Sequence, residues 1–166
     1  MNPFLKTCAI TLAAAAVLTA CGGGNDDDPS PSDRTGVLTV TASTVDGLNG
    51  VYGDGNVNLT DVDKKNPIGS DPEVCTFKFD GMNKVGGSGS AFGDVRYEPN
   101  ANSLRQLFIT VGTREFGSGD AADTSVQRSS DRVQLSNKLL TATDSSGATV
   151  RVTGLIPMRG SRPTGC

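Results

Sequence analysis

Alternation is the feature that most limits what this chain can fold into. Leu38, Val40 and Ala42 share one side of their segment, with Thr39 and Thr41 opposite. Cys75, Phe77 and Phe79 alternate with Thr76, Lys78 and Asp80, and Val95 and Tyr97 with Asp94, Arg96 and Glu98. Val133 and Leu135 alternate with Arg132, Gln134 and Ser136, and Val150 and Val152 with Thr149, Arg151 and Thr153. Side chains of a strand point to opposite faces in turn, so a two-residue period rich in β-branched and aromatic residues marks half-buried strands. Leu107-Phe108-Ile109-Thr110-Val111 is apolar on both faces and reads as a central strand.

Turn chemistry separates these runs. Gly53-Asp54-Gly55-Asn56, Pro99-Asn100-Ala101-Asn102 and Ser145-Ser146-Gly147 supply residues that tolerate positive φ or pre-set a bend. About eight or nine strands at short, even intervals predict an all-β domain over residues 36–166. A single antiparallel β-sandwich is expected, with a small eight-stranded β-barrel as the alternative. No window has a helical period. The polar stretch Ala121 to Asp131 reads as a loop with room for a short helix.

Upstream of this domain the pattern is different. Lys6 precedes an apolar run from Cys8 to Leu18, too short for a lasting membrane span and suited to a secretory signal over residues 1–20. The run ends Leu18-Thr19-Ala20-Cys21. This segment resembles the lipobox of bacterial lipoproteins. The resemblance implies cleavage before Cys21, acylation of Cys21, and a membrane as the first partner. Gly22, by the same resemblance, favours the outer membrane of the bacterial envelope over retention at the inner one. Two or three acyl chains would anchor the protein without a transmembrane helix, since each buried methylene contributes about 0.8 kcal/mol. Residues 21–35 then form a tether. From Gly22 to Asp33 it has no large apolar side chain, so it is expected to stay disordered, and Asp26, Asp27 and Asp28 read as a solvated spacer. The resemblance covers only this targeting segment; the globular domain resembles no family by its motifs.

Cysteine arithmetic follows from export. Cys8 leaves with the signal and Cys21 carries lipid, so Cys75 and Cys166 are an even pair in an oxidising compartment. A disulfide between them is expected. Cys75 shares its face with Phe77 and Phe79, which places that bond against the core.

Several functions are disfavoured by composition. The chain contains no histidine and no tryptophan. Histidine-dependent nucleophilic catalysis is excluded in its usual forms, and zinc or copper sites lose their commonest ligand. Residues 36–166 hold thirteen basic against fourteen acidic side chains, which gives no basic face for nucleic acid. Gly86 to Gly93 is glycine-rich, but a strand follows it in place of the Lys-Ser/Thr and helix of a phosphate loop. Glu73, Glu98 and Glu115 lie at strand edges or loops, where solvated carboxylates are the rule. No cofactor and no enzymatic activity are expected.

One segment invites a metal reading. Asp54, Gly55, Asn58 and Asp61 have the spacing of the second half of a dockerin or EF-hand calcium loop. The first half lacks its ligands, because Gly50 and Tyr52 stand there, and Pro67 breaks the helix that should follow. A β-hairpin turning at Gly53–Asn56 is the simpler expectation. Arg159 and Arg162, beside Cys166, are read as part of a tail fastened by the disulfide rather than as an anion patch. The sequence thus points to a non-catalytic envelope lipoprotein whose domain binds a protein or an envelope polymer, or has a structural role supporting an assembly. A small-ligand or calcium-binding β-module is the alternative.

Overall fold

The computed structural model describes residues 36–55, 57–66 and 69–166, and there the domain is all-β and antiparallel. Eleven strands run in order: β1 Val37–Thr41, β2 Gly50–Tyr52, β3 Asn58–Leu59, β4 Asp63–Lys65, β5 Val74–Asn83 and β6 Ser90–Tyr97, then β7 Leu104–Val111, β8 Arg114–Ser118, β9 Thr124–Gln127, β10 Arg132–Ala142 and β11 Thr149–Pro157. They form one hydrogen-bonded sheet in the order β2-β1-β11-β10-β8-β7-β6-β5-β3, with β4 also on β5 and β9 also on β10.

The sheet curls until its ends meet. Tyr52 of β2 bridges Lys84, just past β5, while Gly53 N–H donates to Asn83 O and Val85 N–H to Val51 O, each at 2.8 Å. Curling of this kind follows from the right-handed twist of strands, and pairing round a ring leaves fewer exposed edges. The domain is thus a curled, half-barrel antiparallel sheet with one inner face, consistent with the expected β-sandwich or its barrel alternative.

Two places in the sheet are broken strands, and both depart from the sequence reading. The first is the expected hairpin at Gly53–Asn56. β2 and β3 do not pair with each other. Asn58 faces Asp80 and Asp63 faces Thr76, so β3 and β4 lie end to end along one side of β5, while β2 pairs with β1 and meets only Lys84 beyond the end of β5. The ten-residue β5 is long enough to template both β3 and β4, and burial of Val57 and Val62 beside these short strands holds the interruptions against the core. The second break is in the stretch read as a loop with room for a short helix, where the strand is the departure and the short 3-10 helix is not. Thr124–Gln127 forms β9 on β10, and Arg128–Ser130 forms a 3-10 turn. β9 inserts only Val126 into the core, too weak a signal to stand out in a polar sequence.

The inner face is filled by side chains. Tyr52, Phe77, Phe79, Tyr97 and Phe116 are its largest aromatic groups, each at most 2% exposed, with Leu38, Leu107, Ile109 and Leu140 between them. The inner face of a strongly curled sheet is narrow enough to be filled by side chains alone. Two chain features allow the close approach of strands. Gly154 has φ +148, a conformation open to glycine, and a Cβ there would collide with the Val37 carbonyl on β1. Gly154→Ala is therefore expected to cost about 2 kcal/mol of unfolding free energy in a urea titration. A cost under about 0.5 kcal/mol would show that β1 can shift freely against β11.

The second feature is a bulge in β10. Its register against β11 shifts between Leu135 and Lys138, and Asn137 takes φ +60. Val133 and Leu135 point inward before the bulge, and Lys138, Leu140 and Ala142 after it. One inserted residue reverses the phase of every side chain beyond it. A lysine is thereby placed inside and Leu139 is left 44% exposed.

Cys75 and Cys166 form a disulfide, with 5.6 Å between their Cα atoms and a separation of 91 positions in sequence. Both are buried. Tyr97, opposite Cys75 in the register of β5 and β6, donates its hydroxyl proton to the Cys166 carbonyl at 2.9 Å. Burial pushes the Tyr97 phenol above its ordinary pKa, which keeps that proton in place.

Candidate functional site

The outer face of β5–β8 carries the arrangement with the most chemistry. Phe92, Asp94 and Arg96 of β6 alternate with the buried Ala91, Val95 and Tyr97, so an aromatic ring lies on the polar side of this strand. Asp94 pairs with Phe108 of β7, and Phe108 in turn with Gly117 of β8. A Cβ on Gly117 would stand 3.0 Å from the Phe108 ring, so glycine at that position gives the ring its seat. Phe92 faces Thr110, which faces Glu115. The two phenylalanines are diagonal neighbours across β6 and β7, close enough to form one aromatic platform.

Polar groups beside the rings are fixed by one another. Arg96 Nε donates to Asp94 Oδ1 at 3.0 Å, and Arg96 Nη1 donates to Gln106 Oε1 at 3.3 Å. Thr76 Oγ1 also donates to Asp94 Oδ1 at 3.3 Å. The guanidinium lies 5.6 Å from the centre of the Phe108 ring, within cation–π range. This network is half-exposed, with 42% of the Arg96 side chain and 19% of the Asp94 side chain open to solvent. Its ion pair contributes little to stability. Its structural effect is to hold a planar donor group and a carboxylate in fixed orientation beside an aromatic face.

The platform forms the floor of a groove. One stretch of about 640 Å³ runs over Phe92, Phe108, Thr110 and Glu115. A second, of about 610 Å³, continues past Thr76 toward Asp63, Lys65 and Pro72. Thr60, Lys78, Asp94 and Arg96 line both. The wall of the second stretch comes from the broken strand β3–β4, which Lys64 steadies through a 2.6 Å ion pair with Glu73 at the entry to β5.

The residues singled out in the sequence lie elsewhere. Cys21 is outside the described residues. Asp54 accepts a hydrogen bond from Asn83 Nδ2 at 3.3 Å, Asn58 pairs in β3 with Asp80, and the Asp61 carboxylate stands 3.5 Å from Arg159. The two carboxylates of the calcium candidate thus serve separate neighbours, and among the described residues no group of three or more His, Cys, Asp or Glu side chains is placed to hold a metal ion. Arg159 also donates to the Leu59 carbonyl at 3.1 and 3.2 Å. Arg162 reaches Asp131 Oδ1 at 2.6 Å and the Arg128 carbonyl at 2.8 Å. Both arginines fasten the C-terminal segment to the sheet. Of the glutamates, Glu73 pairs with Lys64, and Glu98 approaches Arg105 at 3.8 Å. Glu115, in the groove, accepts from Thr143 Oγ1 at 3.0 Å.

Reading the sequence for catalytic and metal motifs passes over Phe92, Arg96 and Phe108. A usable signal is present nonetheless. Phe92 falls on the side of its strand occupied by Asp94 and Arg96, and Phe108 falls on the second apolar face of β7. Rings on a face that also carries charges are outward-facing, and such rings mark contact surfaces. Compared with known proteins, the chain matches no family model, no curated protein and no solved structure.

Proposed function

We propose that the chain is a lipid-anchored protein of the bacterial envelope whose β-domain is a non-catalytic binding module. The observation that carries the anchor is the run Leu18-Thr19-Ala20-Cys21 at the end of a short apolar segment, followed by a polar spacer. Acylated Cys21 would hold the domain near the membrane, and Gly22 favours the outer membrane. Binding at the outer groove is supported by the division between the two faces of the sheet. Large side chains fill the inner face, whereas Phe92, Phe108 and the Arg96–Asp94 pair face outward. The chain lacks histidine, so the usual Ser-His and Cys-His nucleophile pairs are missing from its sequence.

The anchor is tested by growing cells that produce the full chain with radiolabelled palmitate. Label is expected on the native protein and absent from Cys21→Ser, with the variant moving to the soluble fraction. Label retained on Cys21→Ser, or an unlabelled native protein, would overturn the lipoprotein reading.

A further inference from the structure

We propose that the outer groove holds an uncharged polysaccharide chain. The inference deepens the binding-module reading and rests on it, since the envelope is where such a polymer would be met. Three features of the groove select this chemistry.

The first is the aromatic floor. Phe92 is 40% exposed, and the Phe108 ring lies beside Gly117 with the Arg96 guanidinium 5.6 Å from its centre. The face of an aromatic ring is electron-rich, and the slightly positive C–H groups on one side of a pyranose ring pack against it. The second is the pairing of donor and acceptor. A sugar hydroxyl both donates and accepts, so it is best met by the two functions side by side. Arg96 and Asp94 supply them together. Only Nε and Nη1 of the guanidinium are engaged in the bonds described, and a carboxylate can accept about four hydrogen bonds. Because these side chains are already oriented, ligand binding orders little that was free.

The third feature is charge and length together. The two stretches carry three basic side chains, Lys65, Lys78 and Arg96, against five acidic ones, Asp63, Asp71, Asp80, Asp94 and Glu115. A polyanion would be repelled, and an acyl chain would strip water from these charged groups with no hydrogen bonds in exchange. Stretches of about 610 and 640 Å³ that share four residues make an elongated trough, suited to consecutive units of a linear chain.

The test uses the full chain as isolated from cells, reconstituted in lipid nanodiscs. Three neutral tetrasaccharides serve as probes: β-1,4-linked glucose, β-1,4-linked N-acetylglucosamine and α-1,4-linked glucose. Dextran sulfate is the anionic comparator. Calorimetry and saturation-transfer NMR are expected to show binding of at least one neutral probe. Affinity should fall by about tenfold in Phe92→Ala and in Arg96→Gln, with melting unchanged for Phe92→Ala because that ring is already exposed. Tighter binding of dextran sulfate would overturn the proposal. So would no binding of any neutral probe, equal affinity in Phe92→Ala, or in-cell photo-crosslinking from position 92 that captures a protein in place of glycan. None of these outcomes bears on palmitate labelling of Cys21, so a failed glycan reading and a failed anchor reading are separable.

Discussion

Replacing Cys75 and Cys166 together by alanine is expected to lower the unfolding free energy by about 4 kcal/mol and the melting temperature by on the order of 15 °C. The magnitude follows from loop closure. The bond joins residues 91 apart, and opening it restores that freedom to the unfolded chain. The folded state loses contacts as well, because both cysteines are buried at the start of β5. What the bond holds is the C-terminal segment. Tyr97 O–H donates to Cys166 O at 2.9 Å, Asn100 N–H to Gly165 O at 2.7 Å, and Arg128 Nη1 to the same Gly165 carbonyl at 3.0 Å. These bonds orient the tail but do not restrict the unfolded chain. Calorimetric melting of the native protein with and without reductant, and of the double variant, checks the prediction. A loss under about 1 kcal/mol would mean that the hydrogen bonds suffice and the disulfide is incidental.

The second large effect concerns Lys138. Its ammonium is buried, with 2% of the side chain exposed, where β8 parts from β9 along β10. It donates to Asp120 Oδ1 at 2.5 Å, to Asp120 O at 2.9 Å and to Ala122 O at 2.7 Å, so all three of its protons are used. Asp120 itself is 66% exposed. Removal of either partner therefore has unequal consequences. Asp120→Asn leaves a buried ammonium without its counter-charge and is expected to cost about 3 kcal/mol. Lys138→Met leaves a carboxylate that water can reach, and two carbonyls on an exposed loop, at a cost of about 1–2 kcal/mol. The double variant should recover part of the loss. If Lys138→Met proves the costlier, the site is held by the aliphatic stem and not by the pairing of charge.

Acidification should show the same pair. The hydrogen bond from Lys138, and after it that from Ser118, hold the Asp120 carboxyl down at about 2 against an ordinary 3.8. A carboxyl depressed in the folded state favours folding in full above its unfolded value. Its contribution declines as the pH falls from 3.8 through about 2. Solvent at Asp120 screens the pair, so this term is smaller than the displacement alone suggests. In Lys138→Met the Asp120 titration followed by NMR should move back toward 3.8.

Lys138 and Phe92 show where legibility in the sequence ends. Alternation before residue 136 assigns Val133 and Leu135 to the inside, but nothing local announces the bulge at Ser136–Asn137. Without it Asn137 and Leu139 would point inward; with it Lys138 and Leu140 do. For Phe92 the alternation was legible and pointed outward. Its partners were not, since Arg96, Phe108 and Gly117 meet across three strands only through register. The same holds for β2–β4. Short runs with turn residues between them suggested a hairpin, and only pairing across the sheet decided that β2 would join β1 while β3 and β4 lined up along β5.

By itself the sequence determined the β class, the inward side of the regular strands and the segments where turns lie. It also placed Cys75 on the core face. Those properties follow from period-two burial and from backbone preferences of single residues, which are local. Tertiary structure decided the closure of the sheet, the two broken strands, the inward turn of Lys138 and the groove over Phe92 and Phe108. Each depends on register between strands distant in sequence, and register is set by the packed core as a whole rather than by any one segment.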